Sequence, residues 1–472
     1  MEAGKAETGK PETGKKSVKK FTQGYTFKII LLVLLVLLLL IPLAMIRGLI
    51  NERSRTAASA ESGIMEAWGS ELVAAGPVIA IPGIRTEEIR TRTERDGEKI
   101  DIVTKAFTLI ITPQELIIGA EFKTEIRKRG IFSVPLFYGD LSFSGNFNPR
   151  QALASLLPNE EIYPEQAEII IVLSSQKGIR KIGKAKWNGR SLFFQPGNKG
   201  LNIASRIDSI SSRHNNHFSG SGIYAALPEF SNSETSFDIS IAIQGGQLVR
   251  FLPMGQDTSA AVSADWPSPS FQGSFLPGNS TIGENGFDAA WDISYLSRDI
   301  PLHWKMESGN SKDFSDSLFG VNFFRAVDTY SLNTRAVKYA ILFLIVPFLT
   351  LFLLEVFTKK KIHPVPYLLS GIANVIFYLL MLSLSEQMPF YLAYLIASLA
   401  VIALLTLYSR ALLPSWKKSW YMGLVVTISY ILLYAVLNAE SYALLIGSIG
   451  AFTVVALVMF LTRKLNWYSG DE

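Results

Sequence analysis

The sequence predicts an α+β membrane protein in which six transmembrane helices carry a large β-rich periplasmic domain, inserted between the first helix and the second. Three observations predict it. Hydrophobic residues make up 49% of the 472 residues and charged residues 18%, against about 25% charged in soluble domains. The apolar excess lies in one block near the N-terminus and in the C-terminal third. The long stretch between them alternates apolar and polar residues in the manner of strands.

The 45 Lys and Arg against 40 Asp and Glu leave a net charge of +5. That is too small to point to nucleic acid, so the placing of the charges matters more than their sum. Cysteine is absent, which excludes disulfides, Cys-ligated metals, iron–sulfur clusters and a thiol nucleophile. It fits an oxidising compartment without requiring one.

Residues 1–28, rich in Lys, Gly, Glu and Thr, are expected to form a disordered cytoplasmic tail. From Ile29 to Ile46 no residue is charged and nearly all are Leu, Val or Ile. As a helix this run rises about 27 Å, close to the roughly 30 Å of a bilayer core. The lysines before it and Ala58-Ser59-Ala60 after it imitate a secretory signal. The apolar core is too long for one, however, and Arg47, Glu52, Arg53 and Arg55 separate it from that triplet. Residues 29–50 are therefore expected to be an uncleaved first span.

Five further charge-poor stretches predict spans over about 336–357, 365–385, 388–408, 420–437 and 441–462, with a cytoplasmic tail at 466–472. Lys359, Lys360 and Lys361, then Arg410, Lys417 and Lys418, then Arg463 and Lys464 mark alternate loops, while the loops at Glu386 and Glu440 lack Lys and Arg. The positive-inside rule then puts both termini in the cytoplasm and residues 51–335 outside, in the periplasm of a Gram-negative cell.

Within 51–335, helical signal is confined to Thr56–Leu72, a continuation of the first span. Phe237, Ile239, Ile241 and Ile243 alternate with polar or small residues, as do Leu141, Phe143 and Phe147. Asn188-Gly189 signals a type I′ hairpin turn. Gly245-Gly246 before Leu248–Leu252 suggests a second hairpin. Ile100–Ile111 and Leu116–Ile126, split by Pro113, suggest a third strand pair. The pattern fits one large β domain or two smaller ones.

No catalytic, cofactor-binding or metal site is predicted. His214 and His217 offer two imidazoles in a Ser- and Asn-rich loop, short of the three or four ligands that zinc requires. His303 and His363 are isolated. Ser219-Gly220-Ser221-Gly222 does not fit a nucleophile elbow and reads as a flexible loop. Phosphate-binding fingerprints are absent. A carboxylate pair for glycoside chemistry would meet only in the fold, so spacing does not reveal one. No ionisable residue lies near the middle of any span, unlike ion-coupled transporters. Glu355 reads as a boundary ion pair with Lys359, and Asn374, Thr427 and Ser429 as interhelical hydrogen-bonding groups. Pro42 and Pro347 are expected to kink their helices. Gly371, Gly423, Gly447 and Gly450 are expected to permit close helix packing.

Several motifs resemble those of the CreD inner-membrane protein family. They are the stretch Trp266-Pro267-Ser268-Pro269-Ser270-Phe271-Gln272-Gly273-Ser274-Phe275-Leu276-Pro277, Arg335–Tyr339 entering span two, and Ile362–Tyr367 entering span three. Gly76-Pro77-Val78, Arg129–Phe132 with Pro135–Tyr138, Gly286–Trp291 and Asn466-Trp467-Tyr468 add to them. The resemblance runs from about residue 29 to the end, with Phe132 where Tyr is commoner. It implies an inner-membrane protein of cell-envelope integrity, linked to tolerance of colicins and β-lactams and often controlled by a two-component regulator. It transfers no catalytic residue.

In the Trp266–Pro277 stretch, three prolines deny donors to a ladder, predicting a rigid loop or an edge. Trp266, Phe271 and Phe275 either pack beneath it or present an aromatic surface to a partner. The reading is a non-enzymatic integrity factor whose partners are the lipid bilayer and an envelope protein or cell-wall component, with no nucleic acid and no cofactor. The alternatives are a membrane-anchored enzyme of envelope polymers and a transport or export component.

Overall fold

The computed structural model describes residues 25–69, 71–93, 97–201, 206–207, 216–217, 221–307, 313–323, 329–358, 360–413, 416–439 and 442–463. The Lys-rich tail, His214, the Ser219–Gly222 loop and the closing Asn466–Tyr468 motif lie wholly or mostly outside them. Two compact units result: a helical one, residues 1–56 with 327–472, and a strand-rich one, Ala57–Ala326.

The helical unit contains the first part of α1 (Tyr25–Trp68), with α2 (Thr329–Thr358), α3 (Pro364–Ser385), α4 (Phe390–Leu412), α5 (Trp416–Asn438) and α6 (Ala443–Thr462). The first five are long and apolar enough to cross a membrane, and α6 has a shorter described apolar run, Leu445–Ala456. Pro42 and Pro347 sit inside helices that continue through them. The outer surfaces carry Val33, Leu34, Ile376 and Leu399, all about half exposed or more, as lipid-facing side chains must be.

In the strand-rich unit α1 ends at Trp68, and Leu72 already begins a strand. Met65 and Trp68 close α1 onto Val134 and Leu136, and the Gln244 amide donates to the Trp68 carbonyl at 2.7 Å. The main strands are β1 (Leu72–Thr93), β2 (Gly97–Ile111), β3 (Glu115–Arg129), β4 (Phe132–Phe147), β5 (Glu168–Leu173), β6 (Ile179–Trp187), β7 (Gly222–Ala226) and β8 (Thr235–Gly246). They continue with β9 (Leu248–Leu252), β10 (Asp257–Ala264), β11 (Ser270–Gly273), β12 (Asn279–Gly283), β13 (Gly286–Ser294), β14 (His303–Glu307) and β15 (Phe319–Asn322).

One sheet runs β11–β15–β9–β1–β5–β7, with β2 pairing both β1 and β14. The second runs β12–β13–β10–β3–β4–β8–β6. Alternation decides which side of the second sheet is dry: Phe237, Ile239, Ile241 and Ile243 of β8 are at most 3% exposed. They join buried residues of both sheets in one continuous core, so the segment is one domain, not two. Ile169–Leu173 of β5 are buried without alternation, the mark of a strand covered on both faces.

Asn188 and Gly189 take positive φ of 48° and 78° between paired Trp187 and Arg190, so the type I′ turn is present. The strand pair expected across Pro113 and the hairpin expected at Gly245-Gly246 are not. β2 pairs within the first sheet and β3 within the second. At the junction the Thr112 amide donates to Leu302 beside β14, while the Gln114 amide donates to Asn146 of β4. Pro113, lacking a donor, sits between them where the chain changes sheet. Likewise β8 lies in the second sheet and β9 in the first. Gln247, at φ 45°, donates to Pro135 and accepts from Phe323. Its amide therefore serves one sheet and its carbonyl the other.

Candidate functional site

Polar groups of the helical unit gather at its interior and at two ends. Lys28, early in α1, pairs with Glu355 near the end of α2 and donates to the Ile362 carbonyl at 2.7 Å. The Tyr367 hydroxyl of α3 donates to Glu355 at 2.8 Å. Glu355 is thus buried against a residue more than three hundred positions away. The expected partner Lys359 lies outside the described residues. Hydrocarbon surroundings favour this arrangement, because an enclosed carboxylate needs a cation and donors on several sides. At the other end Arg53 approaches Glu386 at 4.0 Å, and the Tyr330 hydroxyl donates to Glu386 at 3.2 Å.

Between these ends Asn374 donates to the Phe343 carbonyl at 2.9 Å and accepts from the Tyr430 hydroxyl at 2.7 Å, tying α3 to α2 and α5 as expected. Thr427 and Ser429 instead bond carbonyls of their own helix, Gly423 and Val426, because a short hydroxyl reaches back one turn before it reaches a neighbour. A Cβ on Gly371 would meet Leu39 and Phe348, one on Gly423 would meet Thr406, and one on Gly450 would meet Leu432. These three glycines permit close approach. Among the described residues nothing would meet a Cβ on Gly447.

In the strand-rich unit several carboxylates are held by cations. Glu160 has a side chain with no exposed surface. Arg85 reaches it at 2.8 Å, Lys305 at 2.5 Å, and the Leu157 amide donates at 2.8 Å. Burial pushes the Glu160 carboxyl up, but the Leu157 amide, Lys305 and Arg85 outweigh it and hold the group below the usual range. Arg85 also contacts Glu307 at 3.1 Å, and Lys105 pairs with Glu87 at 2.7 Å. Glu71 lies 3.8 Å from Arg250. A carboxylate held ionised by two cations is a poor general acid.

The stretch from Trp266 to Pro277 does supply an edge: Ser270–Gly273 is β11, hydrogen-bonded to β15 alone. Trp266, Phe271 and Phe275 are partly buried against the core. Phe271 meets Phe287 at 5.9 Å and Trp291 at 5.8 Å, edge to face in both cases. The Trp291 indole donates to the Phe275 carbonyl at 3.1 Å. All three rings therefore pack against the core. Leu276 of the same stretch is 71% exposed.

Of the histidines, His363 caps α3 by accepting from the Val365 amide at 3.4 Å, and His217 lies in a two-residue strand paired with Arg206–Ile207. His303, on β14, lines a polar recess at the change of sheet around Pro113. Sequence spacing gave no signal for this recess, since its walls come from four separate parts of the chain. Nor did it reveal Arg298, whose guanidinium donates to the carbonyls of Met254, Gly255 and Ile300 and is pushed down to about 10 by burial.

Comparison with known proteins matches these features to one family. The family model described as inner membrane protein CreD matches residues 24–468. The chain is 30% identical to inner membrane protein CreD of Escherichia coli (strain K12) over 432 residues, 91% of this chain and 90% of that protein. Helices long and apolar enough to cross a membrane, one N-terminal and four C-terminal, accompany that match in a multi-pass inner membrane protein. The chain belongs to the CreD inner membrane protein family.

Proposed function

We propose that the protein crosses the inner membrane six times, keeps both termini in the cytoplasm and holds residues 51–335 in the periplasm. There it acts as a non-enzymatic envelope-integrity factor in envelope stress or tolerance to colicins and β-lactams. Three observations support the topology. Lys and Arg cluster in alternate short loops. Lys28 meets the end of α2 and the start of α3, whereas Arg53 and Tyr330 meet Glu386 at the end of α3. The 26 positions from Lys28 to Arg53 rise about 37 Å as helix, enough for a bilayer core of roughly 30 Å. Ala443–Thr462 supplies the sixth span.

The observation that carries the non-enzymatic reading is the state of Glu160: the enclosed carboxylate of the strand-rich unit is engaged by Arg85 and Lys305. The function then rests on contact surface spread over many residues, presented to an envelope protein or a cell-wall component. The test is complementation of an envelope-sensitivity phenotype by single Asp or Glu to Ala variants between Glu71 and Asp328, with protein level and melting measured alongside. Retained complementation in each variant that folds supports the reading. One carboxylate whose loss abolishes complementation at normal level and melting would replace it with the enzyme.

A further inference from the structure

We propose that the polar recess at the change of sheet binds a small hydroxyl-rich carboxylate of about one sugar ring, a hydroxy acid of the hexuronate kind. Gln114, Asn148, Arg150, Gln151, Gln256 and His303 are the polar residues other than Thr112 that line a volume of about 230 Å³. That is below the roughly 300–1,000 Å³ of sites for drug-sized ligands, so it suits a single ring and not a polymer.

The lining fixes the ligand's chemistry. No Asp or Glu is among the described residues that line it, and it holds one guanidinium. The Arg150 Nε donates to the Asn232 carbonyl at 3.4 Å. This orients the group, and Arg150 makes no ion pair with a described residue. A lone guanidinium with its terminal nitrogens available selects a carboxylate, which it meets with two parallel bonds. The carboxamides of Gln114, Gln151 and Gln256 make no hydrogen bond to a described residue. Each brings both a donor and an acceptor, the pairing that hydroxyl groups satisfy best. His303 has its pKa lowered by burial and by Lys305, so at neutral pH it too offers one donor and one acceptor.

The frame is set before any ligand arrives. Both the amide and the hydroxyl of Thr112 donate to the Leu302 carbonyl, at 3.0 and 2.8 Å. The Gln114 amide reaches Asn146 at 2.9 Å, and the Gln256 amide reaches Pro113 at 2.9 Å. The amides of Thr112, Gln114 and Gln256 are thereby consumed in holding the chain at the change of sheet. The ordering cost of binding then falls on the lining side chains and little on the backbone.

The test uses the full-length protein in detergent micelles, with D-glucuronate as probe and D-glucose as its neutral counterpart, read by saturation-transfer NMR and titration. Saturable glucuronate binding with a Kd of order 1 mM is expected, with glucose at least tenfold weaker. Arg150→Gln should weaken glucuronate at least tenfold while leaving the melting temperature unchanged, because the side chain is exposed. Gln114→Ala, which leaves the charge in place, should weaken glucuronate and glucose together. Absence of saturable glucuronate binding, equal binding of the two sugars, or binding indifferent to Arg150→Gln would each overturn the proposal. Binding is read on purified protein and integrity in cells, so this proposal and the integrity reading fail separately.

Discussion

In α3 of the helical unit, Val365, Leu369 and Ile376 face outward while Ser370 and Asn374 are buried. In β8 of the strand-rich unit the order reverses, with Phe237, Ile239 and Ile241 buried and Asp238, Ser240 and Gln244 partly open. The difference follows from the surrounding medium. Lipid tails are as apolar as Leu, so apolar side chains gain little by turning inward, and polar contacts with small residues hold helices together. Water expels apolar area, worth roughly 25 cal/mol per Å², and this builds the continuous core shared by the two sheets. One chain thus folds by two rules, and substitutions should separate them.

The largest effect is expected in the water-built core. Trp291 is 1% exposed and touches Phe271 and Phe319. Trp291→Ala should destabilise the strand-rich unit by about 3–5 kcal/mol, measured by denaturant melting with protease susceptibility of the full-length protein as a second readout. A loss below about 1 kcal/mol would mean that this core contributes less than the comparison requires.

In the helical unit the corresponding test is charge. Removing one partner of a fully buried pair costs about 3–5 kcal/mol, and Glu355→Leu should approach the lower end because the Lys28 side chain keeps 17% exposure. Lys28→Met combined with Glu355→Leu should recover most of that loss, since two apolar residues replace a pair that lipid disfavours. Thermal unfolding of the single and double variants in micelles closes the cycle. A double variant as unstable as Glu355→Leu alone would show that Glu355 works through Tyr367, not Lys28.

The two regions also differ in how much of them could be read beforehand. Alternation in β4 and β8 and the Asn188-Gly189 turn were legible, because a strand's face and a tight turn are local properties. The sequence reads β2 and β3 as a strand pair and β8 and β9 as a hairpin, and the structure puts the members of each in different sheets. A turn signal says that the chain reverses, not which sheet receives it, and that is decided by Leu302, Asn146, Pro135 and Phe323 far along the chain. The apolar spans were legible from composition, but the Lys28–Glu355–Tyr367 contact joins three helices and was not. The sequence reads Trp266, Phe271 and Phe275 as either packing or partner contact, and the structure packs all three partly buried against the core. The recess escaped notice because none of its walls is a motif.

A smaller effect concerns pH in the strand-rich unit. Glu160 is held ionised below the usual carboxyl range, so its stabilising contribution is present above the unfolded carboxyl pKa of about 4.3. It is lost as pH falls through the lower folded value. Glu160→Gln should therefore lower the melting temperature at pH 7, and the gap from the parent protein should narrow below about pH 4. A gap constant between pH 7 and pH 3 would show that the ion pairs with Arg85 and Lys305 are not what holds this edge.

The contrast between a lipid-built and a water-built region rests on where each lies, and labelling of single cysteines in intact cells tests that most directly. The chain has no cysteine of its own, so Ser233→Cys, Lys361→Cys, Gln387→Cys and Arg463→Cys can each be probed with a membrane-impermeant thiol reagent. The account predicts labelling from outside at positions 233 and 387, and none at 361 and 463 until the membrane is opened. Labelling at 361, or protection at 233 that persists after the outer membrane is made permeable, would contradict it.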